Sequence, residues 1–283
     1  MTQSVFKCDN NSFIQTCCLS CKSQFDESAF TIGNLYPCNR FTVLPQTHEK
    51  HLFQINFCKK CALIQQIDPM PIDLVAPRVP FISYNEPSWH IPNVVKNLNE
   101  KALFKSNKIL GVGPFDKVLV DSFIEFGLQG SFAKLSNSNN DKIFPYLETW
   151  QNQILYKQLE IDDGPYDIVS CRYLLEHSHN PLLSLKNMSQ FMTERGILVI
   201  EVPDSSKFIK GLDYSFLWEE HICYFTQKSL LNLCKNAGLN VIRFERYENI
   251  YEDSLVVFLK LSGNSDICSE IEESDFNDFK TYK

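Results

Sequence analysis

The chain has 283 residues, 44% hydrophobic, 13% aromatic and 22% charged; this fits one large or two modest folded domains and excludes a disordered or fibrous protein. A formal charge of −7 excludes the basic footprint on which nucleic-acid binding depends. No apolar run reaches the ~18–20 residues that cross a bilayer, and residues 1–11 lack the pattern of a secretory leader, so the expectation is a cytoplasmic protein with no nucleic-acid and no membrane partner.

Residues 1–80 read as a small loop-and-strand module. They carry Cys8, Cys17, Cys18, Cys21, Cys38, Cys58 and Cys61, show the turn signals Gly33-Asn34, Tyr36-Pro37 and Asp68-Pro69, and have no long helical period. Pro77, Pro80 and Pro87 then punctuate a linker that runs over 81–106. It contains an amphipathic helix over 91–103, with Val94, Val95, Leu98 and Leu103 on one face.

From 107 to 261 short β-type runs alternate with helices, the pattern of a parallel α/β sheet. Strands are expected at 109–112, 131–135, 166–171, 196–202, 240–246 and 254–261, and helices at 116–126, 182–192 and 228–236. Thr226 suits the N-cap of the last helix and Gly238 its stop. The final two strands follow one another with no helix between, which predicts an antiparallel pair at the sheet edge. Residues 262–283 hold six acidic residues against two lysines and read as a solvated, mobile tail.

The strongest chemical signal is a pair of C-x-x-C knuckles, Cys18-Leu-Ser-Cys21 and Cys58-Lys-Lys-Cys61, separated by 36 residues. In a reducing compartment paired thiols point to metal before disulfide. Each knuckle converges two thiolates on one ion, and two knuckles close the tetrahedral four-sulfur site that structural zinc prefers. Cys17 competes with Cys18 for the first place, although only Cys18 gives the two-residue spacing. The plainer alternative is a set of buried thiols behaving as small apolar side chains.

A second signal is Ile109-Leu-Gly-Val-Gly-Pro-Phe-Asp116, a strand ending in a glycine turn before a helix, where backbone can approach a nucleotide-like cofactor. It is a poor dinucleotide fingerprint. Asp116 stands at the third glycine, and the next strand lacks an acid for a ribose.

Taken in order, several segments resemble one family. They are the paired knuckles with Pro37-Cys-Asn-Arg-Phe41 between them, Cys61-Ala-Leu-Ile-Gln65, Tyr84-Asn-Glu-Pro87, Gly111-Val-Gly113, Tyr166-Asp-Ile-Val169 running into Leu175-Glu-His177, Gly196-Ile-Leu-Val-Ile-Glu-Val-Pro203, and Glu219-Glu-His221 followed by Tyr224-Phe-Thr226. The chain resembles the class I S-adenosylmethionine-dependent methyltransferases with an N-terminal zinc module, typified by the deoxysugar C-methyltransferases.

The resemblance implies an α/β fold with a Rossmann-like seven-stranded sheet, an antiparallel edge hairpin and a preceding small zinc-binding module. It implies S-adenosylmethionine at Gly111 and Gly113, with Asp116 in the following turn, and a structural zinc at Cys18, Cys21, Cys58 and Cys61. His221 becomes the base, Glu220 its orienting partner, Tyr84 a contact to the reacting sugar and His177 a neighbour of the methyl donor. The implied acceptor is a small keto compound, a sugar carried on a nucleotide in the relatives.

This sequence departs from the family pattern at Ile109, where an acid is usual, at Phe115, where a glycine is usual, at Glu219, where the segment's first histidine is usual, and at Trp218, where a tyrosine is common. The ribose acid is also missing, unless Asp141 or Glu148 serves from a loop. A catalytically silent binding or scaffold protein is the reading these departures keep open.

Overall fold

The structure, a computed structural model, describes residues 16–26, 28–38, 49–76, 83–100, 107–136, 146–162, 164–261 and 273–282. The parts of the predicted elements at 101–106, the candidate acid Asp141, Cys8 and the prolines Pro77 and Pro80 lie outside the described residues.

The strands are β1 (Phe30–Leu35), β2 (His51–Phe57), β3 (Ile64–Gln66), β4 (Lys108–Gly111), β5 (Gln129–Phe132), β6 (Tyr166–Arg172), β7 (Met192–Pro203), β8 (Cys223–Tyr224), β9 (Asn240–Tyr247) and β10 (Ser254–Lys260). The helices are α1 (Ile72–Val75), α2 (Ile91–Glu100), α3 (Lys117–Glu125), α4 (Leu147–Leu155), α5 (Pro181–Ser189), α6 (Ser206–Gly211), α7 (Gln227–Asn236) and α8 (Glu273–Tyr282).

The larger sheet has the order β5-β4-β6-β7-β10-β9. Pairings from β5 through β7 are parallel, and β10 runs antiparallel to both β7 and β9. The predicted antiparallel pair is therefore present, with β10 inserted between β7 and the outer strand β9. Six strands are found among the described residues, one fewer than the resemblance implies; past β5 the chain makes only an isolated bridge between Lys134 and Glu160.

Alternation along the central strands explains the layers. Ile168, Ile197, Val199, Val256 and Phe258 face a core shared with α2 and α3, while Val169, Leu198, Ile200, Leu255 and Val257 face the opposite core, shared with α4, α5 and α7. A strand buried on both faces reads as a continuous apolar run, as Gly196-Ile-Leu-Val-Ile does. The Thr226 cap is present as a reciprocal bond pair with Ser229, and Gly238 takes φ +78° just past α7, a conformation that costs glycine little.

The cysteine-bearing segment is not packed as a separate body. Its sheet has the order β1-β2-β3-β8, and the last strand comes from residues 223–224 of the larger region. Cys18, Leu19, Cys58 and Cys61 share one continuous core with Leu231, Leu233 and Val257.

The tail departs from the sequence expectation. Residues 273–282 form α8, and Phe279 is buried, its ring stacked 5.4 Å from that of Phe57. Counting charges along 262–283 gave the solvated reading, because one buried phenylalanine does not alter the charge balance. Phe279→Ala is expected to lower unfolding free energy by about 3 kcal/mol in urea denaturation, the usual cost of emptying a phenylalanine site.

Candidate active site and cysteine cluster

The two knuckles repeat one backbone pattern. Cys18 N donates to Ser23 O and Lys22 N to Cys18 O; Cys58 N donates to Leu63 O and Ala62 N to Cys58 O. Lys22 and Ala62, each just after a knuckle's second cysteine, take φ of 60° and 62°. Those turns aim four sulfurs at one point: Cys18 Sγ lies 3.4 Å from Cys61 Sγ and Cys21 Sγ 3.5 Å from Cys58 Sγ. Sulfurs about 2.3 Å from a tetrahedral ion stand about 3.8 Å apart, so these four could hold one metal with a shift of a few tenths of an ångström. The Cys17 sulfur is engaged in a disulfide, and Cys18 is the one of the two that joins the cluster.

This cluster also fixes the loop that carries the candidate catalytic residues. Gln65 Oε1 accepts from Leu19 N at 2.7 Å, inside the first knuckle. The next residue, Gln66, reaches the other way. Its main-chain N donates to Ile222 O at 2.9 Å, and its Nε2 lies within hydrogen-bond distance of the carbonyls of Trp218, Glu219 and His221, at 3.2, 3.0 and 2.8 Å. Gln66 was not singled out in the sequence, where it is one of two adjacent glutamines with no motif around it.

A cavity of about 530 Å³ opens beyond the carboxyl ends of β6 and β7. Its wall includes Tyr84, Tyr173, His177, Phe216, Trp218 and His221. Tyr173 leaves β6 at φ 47°, an uncommon conformation for a bulky residue, and so turns its ring onto the cavity wall. Tyr84 and Glu86 arrive from the linker, which Arg172 fastens. Its guanidinium, buried at the end of β6, donates to Glu201 Oε2 at 2.5 Å, to Phe115 O at 2.8 Å and to Pro87 O at 2.5 Å; His90 Nε2 lies 2.7 Å from Glu201 Oε1. The Arg172 charge and the buried carboxylate of Glu201 answer each other, which is what makes burial of either tolerable.

Three of the four predicted catalytic side chains, Tyr84, His177 and His221, line this one cavity, and the fourth is joined to them. The His177 and His221 rings meet edge-on at 4.9 Å, and Tyr84 Oη donates to Glu220 Oε2 at 2.8 Å. Burial lowers the pKa of His221 to about 4, so at neutral pH the ring is uncharged and able to accept a proton. Glu220 accepts from Tyr84, and His221 Nδ1 has no hydrogen-bond partner. Glu148 sits in the first turn of α4, with Oε1 4.0 Å from His177 Nδ1. Glu176 also lines the cavity, a residue visible in the Leu-Glu-His segment but given no role there.

Gly111, Gly113 and Asp116 are not part of that wall. A Cβ at Gly111 would come 2.8 Å from Asp116 Cβ, and one at Gly113 3.2 Å from Leu174 Cδ2, so both glycines permit close packing of the turn. Phe115 follows, its ring edge-on to Tyr84 at 6.1 Å and to Tyr173 at 6.5 Å, between the turn and the cavity. Asp116 is fully buried; Oδ2 accepts from Gly113 N at 2.7 Å, whereas Oδ1 has no hydrogen-bond partner. An unsatisfied buried acceptor beside a glycine turn fits an adenosyl compound, which brings hydroxyl and amino donors.

Residues 87–243 match the model of a methyltransferase domain. Among solved structures, the chain is similar to magnesium protoporphyrin IX methyltransferase of Synechocystis, crystallised with bound SAH (11% identity, 63% of this chain and 90% of that one, TM-score 0.43). It is also similar to the CcbJ methyltransferase of Streptomyces caelestis (10%, 64% and 94%, 0.41) and to an S-adenosylmethionine-dependent methyltransferase of Clostridium acetobutylicum (11%, 61% and 91%, 0.37). No curated protein matches the chain.

Gln66→Ala is expected to lower stability by about 2 kcal/mol, because it removes the side-chain donor from the Glu219 and His221 carbonyls. Hydrogen exchange should rise in residues 218–222 while exchange in the β6–β7 pair stays slow.

Proposed function

The chain belongs to the methyltransferase-domain family, and from that premise we propose that it is an S-adenosylmethionine-dependent enzyme that methylates carbon next to a carbonyl in a small, sugar-like acceptor. The observation that carries the finer reading is the convergence of Tyr84, His177 and His221 on one cavity at the carboxyl rim of the parallel strands, where α/β folds build their sites.

When bound, S-adenosylmethionine supplies a methyl group whose C–S bond breaks as the acceptor carbon's electron pair attacks it. Gly113 and Asp116 would hold the donor at the turn, Asp116 through its buried carboxyl. His221, uncharged at neutral pH, takes the proton from the acceptor carbon. A proton alpha to a ketone is acidic enough for imidazole once the enolate charge is stabilised. Tyr84 keeps its proton because burial and Glu220 both raise its pKa, so it acts as a hydrogen-bond donor and not as a base.

The wall suits a polyhydroxylated acceptor: aromatic faces from Tyr84, Tyr173, Phe216 and Trp218 cover the apolar face of a ring, and carboxylates accept from hydroxyls. No lysine or arginine lines it among the described residues, so the proposal stops at the sugar and does not extend to the phosphates of a nucleotide carrier.

Zinc at Cys18, Cys21, Cys58 and Cys61 completes the reading, as a structural ion with no open position. The silent alternative draws on Phe115, which walls the glycine turn from the cavity.

Donor at 100 times its dissociation constant is expected to stabilise the protein by about 2.7 kcal/mol in a thermal melt. No shift at millimolar donor would favour the silent protein. His221→Asn should abolish turnover and keep that shift. The acid limb of the rate should fall near pH 4, where His221 gains its proton, and not near 6.5. Linkage has the same sign: the folded pKa of His221 lies below the unfolded one, so its contribution to stability is complete above 6.5 and is lost as pH falls towards 4. For the thiolates, elemental analysis should return one zinc per chain, and Cys58→Ser should lower the melting temperature and raise hydrogen exchange in the β1-β2-β3-β8 sheet.

A further inference from the structure

The cavity wall carries Glu86, Glu176, Asp213 and Glu252 and, among the described residues, no lysine or arginine. Glu148 and Glu220 lie buried against His177, one of the lining residues, at 4% and 1% exposure. Both carboxylate oxygens of Glu148 lack a hydrogen-bond partner, as do Glu176 Oε2, His177 Nδ1 and His221 Nδ1. Buried polar atoms in folded proteins are nearly always paired, and each left alone costs on the order of 1–3 kcal/mol. So many unpaired ligand atoms in one place mark the seat of a cation.

The orientation of the groups points the same way. The main-chain carbonyl of Glu220 hydrogen-bonds to the His177 ring, while Nδ1 faces Glu148 Oε1 at 4.0 Å. An imidazole that gives one N–H to a backbone carbonyl and turns its other nitrogen to a carboxylate is held as metal-ligating histidines are held. Tyr84 Oη supports Glu220 in the same manner, at 2.8 Å. One ligand atom each from Glu148, His177 and Glu220 lie within 4.8 Å of one another.

We propose that Glu148, His177 and Glu220 bind a divalent cation in the wall of the cavity. Ligand atoms about 2.1 Å from an ion and 90–180° apart stand about 3.0–4.2 Å from each other, so this cluster closes on an ion by drawing in about half an ångström. Two carboxylates and one imidazole form a mixed oxygen–nitrogen set suited to manganese, iron or zinc, distinct from the all-sulfur set of the knuckles. The ion's role rests on the methyl-transfer reading, though its binding does not. Held there, it would supply the positive charge that stabilises an enolate, for which the wall offers no lysine or arginine among the described residues.

The test uses Mn²⁺ as probe, titrated into the full chain with zinc loaded at the thiolates and loose ions removed, and follows free Mn²⁺ by its paramagnetic resonance without donor or acceptor. One Mn²⁺ per chain is expected beyond the zinc. Glu148→Gln and His177→Gln should each weaken its binding at least tenfold while the melting transition stays cooperative. Tyr84→Phe, which leaves the ligands in place and removes the group that orients Glu220, should weaken it several-fold.

Absence of Mn²⁺ uptake by the unaltered protein at about 1 mM ion, a standard free energy weaker than about −4.1 kcal/mol, overturns the proposal. So does equal affinity in Glu148→Gln. Stabilisation by ethylammonium that Glu148→Gln removes, with no Mn²⁺ uptake, overturns it in favour of an organic cation. Loss of S-adenosylmethionine binding in Glu148→Gln with unchanged Mn²⁺ uptake overturns it in favour of a donor-binding acid. Uptake without donor binding supports the ion and sinks methyl transfer, so the two failures are distinguishable.

Discussion

The side-chain amide of Gln66 is the joint on which the candidate site depends. It sits at the end of β3, one residue from a glutamine that reaches into the first knuckle, and gathers the carbonyls of Trp218, Glu219 and His221. A loop of irregular backbone cannot satisfy those carbonyls through a ladder of its own. Short β3–β8 pairing and one amide do so in its place, with Glu219 accepting from Cys38 N at 2.6 Å as a further tie. The cysteine cluster therefore lies two links from the imidazole. Cys18 and Cys61 set the knuckles, the knuckles place Gln65 and Gln66, and Gln66 places residues 218–221. This gives the four-cysteine cluster a part in positioning a loop that it never touches.

A second tie fastens the opposite wall. Arg172 brings together the end of β6, the glycine turn and the linker, and Glu201 with His90 balances its charge within the fold. The cavity wall lacks such a balance among the described residues. Burial raises the pKa of Glu86, Glu148 and Glu252 to about 7, so these carboxyls stand near the midpoint of their titration at neutral pH.

The glycine turn shows how one motif can serve packing and recognition together. Gly111 is needed because α3 begins with Asp116 folded against it, and Gly113 because Leu174 lies over it. Both needs arise from close approach of chain to chain. Phe115 stands between Gly113 and Asp116 and joins Tyr84 and Tyr173 in an aromatic wall. The same residues that make the turn a weak fingerprint thus set the turn apart from the cavity.

Much of the architecture was legible in the residues alone. Alternating apolar runs and amphipathic helices specify a parallel sheet buried on both faces, because each strand must hide two sides and each helix one. The knuckle spacing named the four cysteines, since two residues between thiols is a local constraint that needs no knowledge of distant chain. The order Tyr84, His177, Glu220, His221 was readable as a set through resemblance. Their contacts were decided only by the tertiary structure. Glu220 accepts from Tyr84, 136 residues before it, Glu148 reaches His177 from a helix well before it in the chain, and Gln66 reaches across 152 to 155 residues to hold the loop. Phe279 closes a core far from its place in an acidic tail. Local chemistry and periodicity are written in neighbouring residues, whereas which buried polar atom finds which partner depends on distances that exist only once the chain has folded.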